Sequence, residues 1–579
     1  MPNTLYYGDN LDVMRNHLDD ASIDLVYLDP PFNSNRDYNV LFKEQSGMDS
    51  PAQIKAFGDT WKWANAALDW ANFPELCPNT RVQNLMQGFV DTLGCNDVTA
   101  YLVMMAPRLY HLHRVLKPTG SLYLHCDPTA SHYLKCLLDA IFEPRNFRNE
   151  IIWRRSNSHN STTLQYGPIH DTILFYTKSD AFTFHPGTRP YTRGYIEDRF
   201  THEDERGRFQ TNYLTGPGTR NGESGKIWKG FDPTTAGRHW AIPKSLREYL
   251  PEEGAGMKSH QQLDALYAQN LIVFPKKTGG QPMYKQYIGG GTAYQDIWAY
   301  QPNTRGVLYN TEECIDEDVK YLEGEQEKLG YPTQKPSGLL ERIVSTSSNP
   351  GDTVLDPFCG CGTAIIAAQA LGRHWVGIDI TPIATSLIID RLADKFQLRD
   401  QQQVKPADPD FARAFAVKGL PEDLDAARKL FHDNPKDFEM WAVGKIPMKP
   451  QDKKGADGGI DGVKDYYVGD KKPIRAVAQV KGGKVGVAQV RDLIGVMTRE
   501  KATLGLFVCL EPPTQNMKDE AIHAGFYTLP LTGRKVPQVQ IRTISDLLDG
   551  RAFDLPHIQA PVQAVAEAAA ALRQMPMDL

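Results

Sequence analysis

An acidic residue and two prolines end a short apolar run near the start of the chain. Residues 23–28 read IDLVYL and are followed at once by Asp29, Pro30, Pro31 and Phe32. The apolar run is typical of a buried strand, and proline, which lacks a backbone N–H donor, ends it. A carboxylate, a proline carbonyl and an aromatic ring at the tip of a strand could accept hydrogen bonds from an amine and stack on a ring. Alone, the same residues are equally typical of a simple turn.

A glycine-rich loop between two further strands forms a second candidate site. Residues 352–380 read DTVLDPFCGCGTAIIAAQALGRHWVGIDI, which predicts a strand, a turn, a helix and a second strand. Gly360 and Gly362 allow a tight turn whose backbone can approach a ligand closely, although such a turn also occurs without a ligand. Asp379 lies about 20 residues further on, where a carboxylate can bind ribose hydroxyls. No lysine follows the second glycine, so a nucleoside without a phosphate fits this loop better than a phosphate does.

The bulk composition is that of an ordinary globular protein. Of 579 residues, 41% are hydrophobic and 23% are charged, and no run of about 18 apolar residues predicts a membrane span. The first residues do not have the pattern of a signal peptide. The eight cysteines include no CxxC pair, which argues against a zinc site or disulfide framework. We interpret Cys359 and Cys361 as small residues packed in the glycine loop, and we expect a reducing, cytoplasmic location.

The distribution of apolar residues predicts an α/β fold in several parts. The spacing predicts a helix over 99–116 and strands over 120–127 and 171–178, an alternation typical of a parallel sheet covered by helices. Residues 185–330 show little periodicity and predict a loop-rich insert. The chain is divided accordingly into a catalytic part at 1–184, the insert at 185–330, a ligand-binding part at 331–396, a linker at 397–434, a second α/β domain at 435–555 and an Ala-rich tail at 556–579.

Together, the two motifs resemble the S-adenosylmethionine-dependent DNA amino-methyltransferases. DPPF at 29–32 follows one strand, DPFCGCG at 356–362 follows another, and GID at 377–379 ends a third. DPPF precedes the glycine loop, and a long irregular segment separates them. That order is similar to the β class of these enzymes, a circular permutation of the usual arrangement. The resemblance covers about residues 1–395 and implies a Rossmann-like fold in which the insert recognises the target DNA.

The resemblance implies that the DPPF segment holds a base flipped out of double-stranded DNA. The Asp29 carboxylate and the Pro30 carbonyl would accept hydrogen bonds from the exocyclic amine, and Phe32 would stack on the base. Pro31 completes this catalytic set. Asp-Pro-Pro is associated more often with adenine, so the N6 amine of adenine is the expected target and the N4 amine of cytosine is the alternative. No cysteine follows a proline, which excludes methylation at carbon 5 of cytosine.

The resemblance also implies a set of residues that bind S-adenosylmethionine. The methionine part would lie on the glycine loop, the ribose on Asp379 and the adenine near Asp9. Lys335 would lie beside the cofactor at the start of a helix, although a solvated surface lysine is an equally good interpretation. The full set is Asp9, Lys335, Asp356, Phe358, Gly360, Gly362 and Asp379.

Residues 453–510 contain a second acidic site. The turn DGGIDG at 457–462 presents two acids, and the strand that follows places Gln479 and Lys481 on one face. An acid on one strand with Q-x-K on the next resembles the Mrr-like restriction endonucleases of the PD-(D/E)xK fold, over about residues 435–530. In that family the acid and its neighbours bind Mg²⁺, the ion activates a water, and the lysine steadies the reacting groups.

This second resemblance implies roles for five residues. Asp461, Gln479 and Lys481 are the candidate catalytic residues. Asp461 and Gln479 would bind Mg²⁺, with Asp457 and Glu439 as further candidate ligands. A turn acid exposed to solvent is an equally good interpretation of Asp457.

The sequence as a whole predicts a restriction–modification enzyme in a single chain. It would act on double-stranded DNA, with no membrane partner, and the sequence leaves its oligomeric state open, a homodimer included. Because the net charge is −6, DNA contacts require a local concentration of basic residues. One alternative is a methyltransferase whose C-terminal domain binds DNA without cutting it. A nuclease that cuts modified DNA is the other.

Overall fold

The computed structural model describes residues 2–31, 63–156, 166–251, 256–277, 279–322, 334–400, 414–446, 448–450, 459–466, 473–529 and 533–556. Phe32, Asp457 and most of the expected Ala-rich tail lie outside these residues. The chain forms two compact units, one of residues 1–185 with 319–579 and the other of residues 186–318. None of the helices in the described ranges is long and apolar enough to cross a membrane.

Strands and helices are numbered here along the chain. The strands are β1 Thr4–Tyr7, β2 Ile23–Leu28, β3 Leu116–Cys126, β4 Phe147–Arg154, β5 His170–Thr177, β6 Thr188–Arg189, β7 His202–Asp204, β8 Gly207–Tyr213, β9 Thr215–Pro217, β10 Arg238–Trp240, β11 Ile272–Val273, β12 Met283–Tyr287, β13 Thr292–Ala293, β14 Ile297–Trp298, β15 Thr353–Asp356, β16 His374–Asp379, β17 Arg399–Asp400, β18 Ala414–Lys418, β19 Lys449–Pro450, β20 Gly462–Tyr466, β21 Ile474–Lys481, β22 Leu504–Cys509, β23 Phe526–Thr528, β24 Lys535–Pro537 and β25 Val539–Thr543. The helices are α1 Asn10–His17, α2 Trp63–Ala71, α3 Phe73–Leu76, α4 Thr80–Leu93, α5 Asp97–Val115, α6 Ser131–Phe142, α7 Arg193–Arg199, α8 Ser259–Ala268, α9 Ser337–Ser347, α10 Thr363–Ala370, α11 Pro382–Phe396, α12 Leu424–Asp433, α13 Pro435–Gly444, α14 Val487–Arg499, α15 Gln515–His523 and α16 Ile544–Leu548.

A mixed sheet organises the first unit, with the strand order β4-β5-β3-β2-β15-β16-β1-β18-β17. The α/β class, the helix expected at 99–116 and the strands expected at 120–127 and 171–178 are confirmed. The expectation of an all-parallel sheet is wrong for β5, which runs antiparallel to both β3 and β4. An antiparallel neighbour of β4 needs no crossover connection, whereas a parallel one does.

Parallel pairing brings the carboxyl ends of the central strands to one edge of the sheet. β2 pairs with β15, β15 with β16, and β16 with β1, all in parallel. In register, Asp356 lies opposite Gly377, and Asp379 lies opposite Tyr7. In open α/β sheets, ligands bind at this edge. Residues that directly follow β1, β2, β15 and β16 therefore share one site.

Helix α5 fills the core on one face of this sheet. Its residues are buried on nearly all sides, Tyr101, Leu102, Leu109 and Leu112 completely. A helix that is buried all round belongs to the interior of a large domain. Arg108 is buried within the same helix, at 8% exposure.

Strand β18 lies within the segment expected to be a linker, and it extends the sheet. It pairs in parallel with β1, with Thr4 opposite Ala416. The next turn requires glycine, because Gly419 has φ +87° and an added Cβ would lie 2.0 Å from the Tyr7 carbonyl oxygen. Helix α13 then reaches the same region, where the Tyr7 hydroxyl donates to Asp437 Oδ2 at 3.3 Å. The C-terminal domain is thus joined to the first sheet through backbone pairing and side-chain contact.

The C-terminal domain is built on a sheet with the order β19-β20-β21-β22-β25. β20 and β21 are antiparallel, whereas β21, β22 and β25 are parallel. Alternate residues of β21 face different apolar cores: Ala476, Ala478 and Val480 lie in a core with α13, and Val477 lies in a core with α14. This period of two places Gln479 and Lys481 together, as the sequence pattern predicts.

The unit of residues 186–318 has an apolar core of its own. Its strands include a sheet of β11-β12-β8-β7 and two shorter pairs, β10-β9 and β13-β6. The core includes Leu214, Trp228, Trp240, Leu263 and Tyr284. The segment expected to be a loop-rich insert therefore folds around buried aromatic side chains, although regular structure is sparse in it.

Candidate functional site

Asp29 lies directly after β2, at the carboxyl edge of the sheet. Its Oδ2 forms an ion pair with the Nζ of Lys335, which lies two residues before α9. Only 17% of the Asp29 side chain and 9% of the Lys335 side chain are exposed. Pro30 is buried and Pro31 is half-buried. The strand end thus presents a carboxylate whose position is set by a buried ammonium.

The glycine loop wraps around the neighbouring strand ends. Phe358 N donates to Asp356 Oδ1 at 3.1 Å, and Gly360 N donates to Asp379 Oδ2 at 2.9 Å. Gly362 has φ +78° and precedes α10. An added Cβ at Gly362 would lie 2.7 Å from Cγ1 of Ile388. Glycine is therefore required there by conformation and by space, and the loop forms a tight cradle between two carboxylates.

Burial perturbs both carboxyls of this cradle. The Asp356 side chain is deeply buried, and this burial raises its pKa well above the ordinary value; Phe358 N–H opposes the shift, and the charges of Asp29 and Asp379 add to it. Burial also raises the pKa of Asp379, while hydrogen bonds from the Thr381 hydroxyl and backbone and from Gly360 N oppose the rise. A cationic ligand would stabilise the ionised form of these groups, and perturbed carboxyls in a cleft are a mark of functional sites.

Asp9 has partners that the sequence pattern does not indicate. Its Oδ1 accepts from Leu11 N at 2.7 Å and caps α1, and its Oδ2 pairs with Arg108 Nη2 at 2.7 Å. Arg108 Nε also donates to Asn10 Oδ1 at 2.6 Å, and Asn10 Nδ2 donates to the Pro357 carbonyl at 2.7 Å. The buried guanidinium therefore ties the residues after β1 to the glycine loop.

A buried polar chain lies beneath the Asp29 strand. The Tyr27 hydroxyl hydrogen-bonds His125 Nδ1 at 3.1 Å, and His125 Nε2 hydrogen-bonds Asp171 Oδ2 at 3.1 Å. Burial alone would raise the pKa of Asp171, but the hydrogen bond and charge of His125, together with Lys335 and Arg155, lower it. This chain links β2, β3 and β5 close to the strand end that carries Asp29.

The second predicted site forms where β20 and β21 pair. Asp461 N donates to the Ala478 carbonyl at 2.9 Å, and Asp461 Oδ2 accepts from Val480 N at 2.7 Å. Asp461 and Gln479 are 3% and 4% exposed. The turn backbone lies directly against Gln479, since a Cβ added at Gly459 would be 2.5 Å from Gln479 Nε2. The acid and the amide are thus held at one buried strand junction.

Two properties of this junction fit a hard metal ion. Gln479 Oε1 is a buried acceptor with no hydrogen-bond partner among the described residues. Burial and the nearby charge of Asp461 raise the pKa of Glu439, with Lys436 and Lys481 opposing the rise. Carboxylate and amide oxygens are ligands that Mg²⁺ accepts. In the described ranges no group of three or more His, Cys, Asp or Glu side chains is arranged for a metal, so the fit depends on the Gln479 amide.

The structure brings most of the predicted residues together in two places. The first gathers Asp29, Pro30, Pro31, Lys335, Asp356, Phe358, Gly360, Gly362, Asp379 and Asp9. The second gathers Asp461, Gln479, Lys481 and Glu439. Phe32 and Asp457 lie outside the described residues. Sequence reasoning missed Asn10, Arg108 and His125. A signal existed for Arg108, since a charged residue interrupts the apolar face of α5.

Known proteins match the chain over both regions. The family N6_N4_Mtase, described as DNA methylase, matches residues 23–389, and the family Mrr_cat, described as restriction endonuclease, matches residues 448–530. The Enterobacter cloacae type II methyltransferase M.EcaI is 28% identical over 396 residues, which cover 68% of this chain and 70% of that protein. The Salmonella typhimurium type III restriction-modification enzyme StyLTI Mod subunit is 27% identical over 390 residues, covering 64% and 50%. The Escherichia coli DNA adenine methyltransferase YhdJ is 44% identical over 89 residues, covering 15% and 30%.

These matches confirm both resemblances expected from the motifs. The DNA methylase match spans well over half of the chain and includes Asp29 and the glycine loop. The restriction endonuclease match includes Asp461, Gln479 and Lys481. The chain therefore belongs to the N6/N4 DNA methylase family and carries an Mrr-type restriction endonuclease domain in its C-terminal part.

Proposed function

We propose that this chain methylates the N6 amine of adenine in double-stranded DNA and, in its C-terminal domain, cuts DNA with Mg²⁺. One observation carries the first activity: the Asp29 carboxylate and the glycine cradle of Asp356 and Asp379 lie at adjacent strand ends. This placement supports a carboxylate that accepts hydrogen bonds from an amine and a nucleoside site at the same edge of the sheet. This spacing fits the direct transfer of a group from a bound nucleoside to an amine.

The residues at the Asp29 strand end suit the activation of an exocyclic amine. The lone pair of such an amine is delocalised into the base. Hydrogen bonds from its N–H groups to the Asp29 carboxylate and the Pro30 carbonyl would localise that lone pair on nitrogen. A base inside a duplex cannot reach this strand end, so the target nucleotide must flip out of the helix. Phe32, the next ring in the sequence, is proposed to stack on it.

The cradle fits S-adenosylmethionine. Asp356 and the loop glycines would hold the methionine part, Asp379 the ribose hydroxyls, and the residues after β1 the adenine. When bound, the cofactor supplies an electrophilic methyl group on a sulfonium. The amine nitrogen, held by Asp29 and the Pro30 carbonyl, would take this methyl group and lose one N–H proton to solvent, and the electron pair of the broken carbon–sulfur bond would stay on sulfur.

Adenine is the proposed base on two grounds. The strand ends in Asp-Pro-Pro, the form associated with adenine. One relative, identical at 44% over 89 residues, is named as a DNA adenine methyltransferase. N4-methylcytosine is the alternative product, because the amine chemistry at Asp29 is the same for both bases.

The unit of residues 186–318 is proposed to recognise the target sequence. It exposes arginine side chains that suit phosphates and base edges, including Arg199, Arg206, Arg208 and Arg220. Tyr213, at 65% exposure, offers a ring for stacking. Both properties are common where a protein reads DNA.

The C-terminal site supports phosphodiester hydrolysis. Asp461 and the Gln479 amide oxygen would hold Mg²⁺, with Glu439 and Asp457 as further candidates. When bound, the ion supplies Lewis-acid activation of the reacting groups. In the reaction a water oxygen would attack phosphorus and release a proton to solvent, while the bond to one ribose oxygen breaks and that oxygen takes up a proton from solvent. The Lys481 ammonium would stabilise the charge that develops on the phosphate oxygens.

A single experiment tests both activities. Methylated and unmethylated plasmid are incubated with the protein and S-adenosylmethionine carrying an isotope-labelled methyl group, with and without Mg²⁺. We expect labelled N6-methyladenine by nucleoside mass spectrometry, and Mg²⁺-dependent cleavage of the unmethylated plasmid. Labelled N4-methylcytosine would overturn the choice of base. Failure to cut either plasmid would reduce the C-terminal domain to a DNA-binding module, and cleavage of the methylated plasmid alone would assign it to modified DNA.

A further inference from the structure

Lys335 contacts the carboxylate on the target side of the site. Its Nζ forms an ion pair with Asp29 Oδ2. The two acids of the cradle receive bonds from the glycine loop and its neighbours: Asp356 from Phe358 N, and Asp379 from Gly360 N and Thr381. Asp356 and Asp379 thus accept hydrogen bonds from backbone N–H groups and a hydroxyl, whereas Asp29 forms an ion pair with an ammonium.

The position of this ammonium is set by buried structure. Lys335 is 8% exposed, and α9, which begins two residues later, is anchored by Leu339, Leu340 and Ile343 at 0% exposure. The Asp29 side chain is also largely buried. Removing one partner of an ion pair with little access to water is costly, because the other charge is left buried and unpaired. The pair thus fixes the rotamer of Asp29.

We propose that Lys335 is a positioning residue for Asp29 in amine methylation. Its ammonium engages Oδ2 and so sets the orientation of the Asp29 carboxyl group. The second oxygen then serves as the acceptor for an N–H of the target amine. This inference rests on the proposed methyltransferase function and assigns Lys335 to the target amine, where the sequence pattern assigns it to the cofactor.

The two assignments predict different kinetics. A residue that binds the cofactor changes the affinity for S-adenosylmethionine. A residue that acts through Asp29 leaves this affinity unchanged and lowers the rate of methyl transfer in the assembled complex, because the amine lone pair is less localised. Loss of one preorganised electrostatic partner typically lowers a rate by about 10²- to 10³-fold.

The test compares Lys335→Met and Lys335→Arg with a matched control. Lys117 pairs with Asp24 at 2.8 Å, near the opposite end of the same strand β2, so Lys117→Met breaks a lysine–aspartate pair away from the site. S-adenosylmethionine affinity is measured by calorimetry, and single-turnover methylation of unmethylated plasmid by transfer of label. For Lys335→Met we expect a rate about 100-fold lower, with a dissociation constant within about threefold of wild type. We expect Lys335→Arg to transfer methyl at least tenfold faster than Lys335→Met. We expect Lys117→Met to match wild type in both the affinity and the rate.

Three outcomes would overturn the inference. Weaker cofactor binding in Lys335→Met, with a normal rate at saturation, would make Lys335 a cofactor ligand. A wild-type rate and a wild-type affinity in Lys335→Met would show that Lys335 has no role in either step. If the effects of Lys335→Arg and Asp29→Asn on the methyl-transfer rate are fully additive in the double variant, Lys335 does not act through Asp29. This double-mutant cycle decides the matter if Lys335→Met does not fold. If wild type itself transfers no methyl group, the proposed function fails and this inference with it.

Discussion

Replacing Asp356 with asparagine should weaken S-adenosylmethionine binding without weakening the fold. The side chain is 4% exposed, and its Oδ1 accepts from Phe358 N at 3.1 Å. An asparagine amide oxygen can accept the same bond. Burial raises the pKa of the carboxyl well above its usual range, and the charges of Asp29 and Asp379 add to this effect while Lys335 opposes it. Asp356 is therefore costly to ionise until a cation binds beside it.

The expected loss of affinity follows from one charged contact. A hydrogen bond to a charged group contributes about 1.5–3 kcal/mol, so losing the contact between the Asp356 carboxylate and the ammonium of the cofactor should raise the dissociation constant about 10- to 150-fold. The stability of the cofactor-free protein should change in the opposite sense, so that the substitution increases it. A carboxyl whose pKa is raised on folding costs stability as pH rises from its unfolded to its folded pKa. The melting temperature of cofactor-free Asp356→Asn should therefore rise relative to wild type through that interval.

Binding should also depend on pH in the wild type. Because the cofactor ammonium requires the ionised carboxyl, affinity should increase as pH rises through the raised pKa of Asp356. In Asp356→Asn this dependence should be much weaker. Calorimetry over a pH series measures the dissociation constants, and Asp12→Asn, an exposed acid on α1, is the matched control. A wild-type dissociation constant for Asp356→Asn at every pH would refute this reasoning.

Three other substitutions test separate parts of the structure. Gly362→Ala should lower the free energy of unfolding by about 1–3 kcal/mol, because φ is +78° and the new Cβ would lie 2.7 Å from Ile388; an unchanged thermal midpoint would contradict this. Gln479→Leu should lower Mg²⁺-dependent plasmid nicking about 10- to 100-fold, whereas Gln479→Glu, which retains an oxygen ligand, should preserve it, and equal activities in a nicking assay would argue against a ligand role. Arg108→Met should lower the free energy of unfolding by about 3 kcal/mol, because it leaves Asp9 and Asn10 without their buried partner, and urea denaturation would show the loss as a lower midpoint.

The strands that end in Asp29, Asp356 and Asp379 could be predicted because their signals are local. Each is a short apolar run ended by an acid, with proline or glycine soon after in two of the three. Their convergence could also be predicted, since parallel strands place their carboxyl ends at one edge. The antiparallel direction of β5 could not, because it depends on how the chain returns from β4.

Contacts between distant parts of the chain were beyond the sequence pattern. Lys335 pairs with an acid 306 residues away, and its motif gave no basis for choosing between a place beside the cofactor and a solvated surface position. Strand β18 pairs with β1, from which almost the whole methylase sequence separates it. The sequence pattern therefore predicted a linker in this segment. At five residues, β18 is too short for its apolar residues to form a clear pattern beside the polar sequence around it, and its pairing with β1 depends on tertiary contacts.

The central claim is that one chain contains two separate catalytic sites, at Asp29 and at Lys481. The most direct measurement assays Asp29→Ala and Lys481→Ala on the same unmethylated plasmid, with Mg²⁺ and methyl-labelled S-adenosylmethionine. The account predicts that Asp29→Ala cuts DNA without labelling adenine, and that Lys481→Ala labels adenine without cutting. Labelling by Asp29→Ala, or cutting by Lys481→Ala at the wild-type rate, would contradict it.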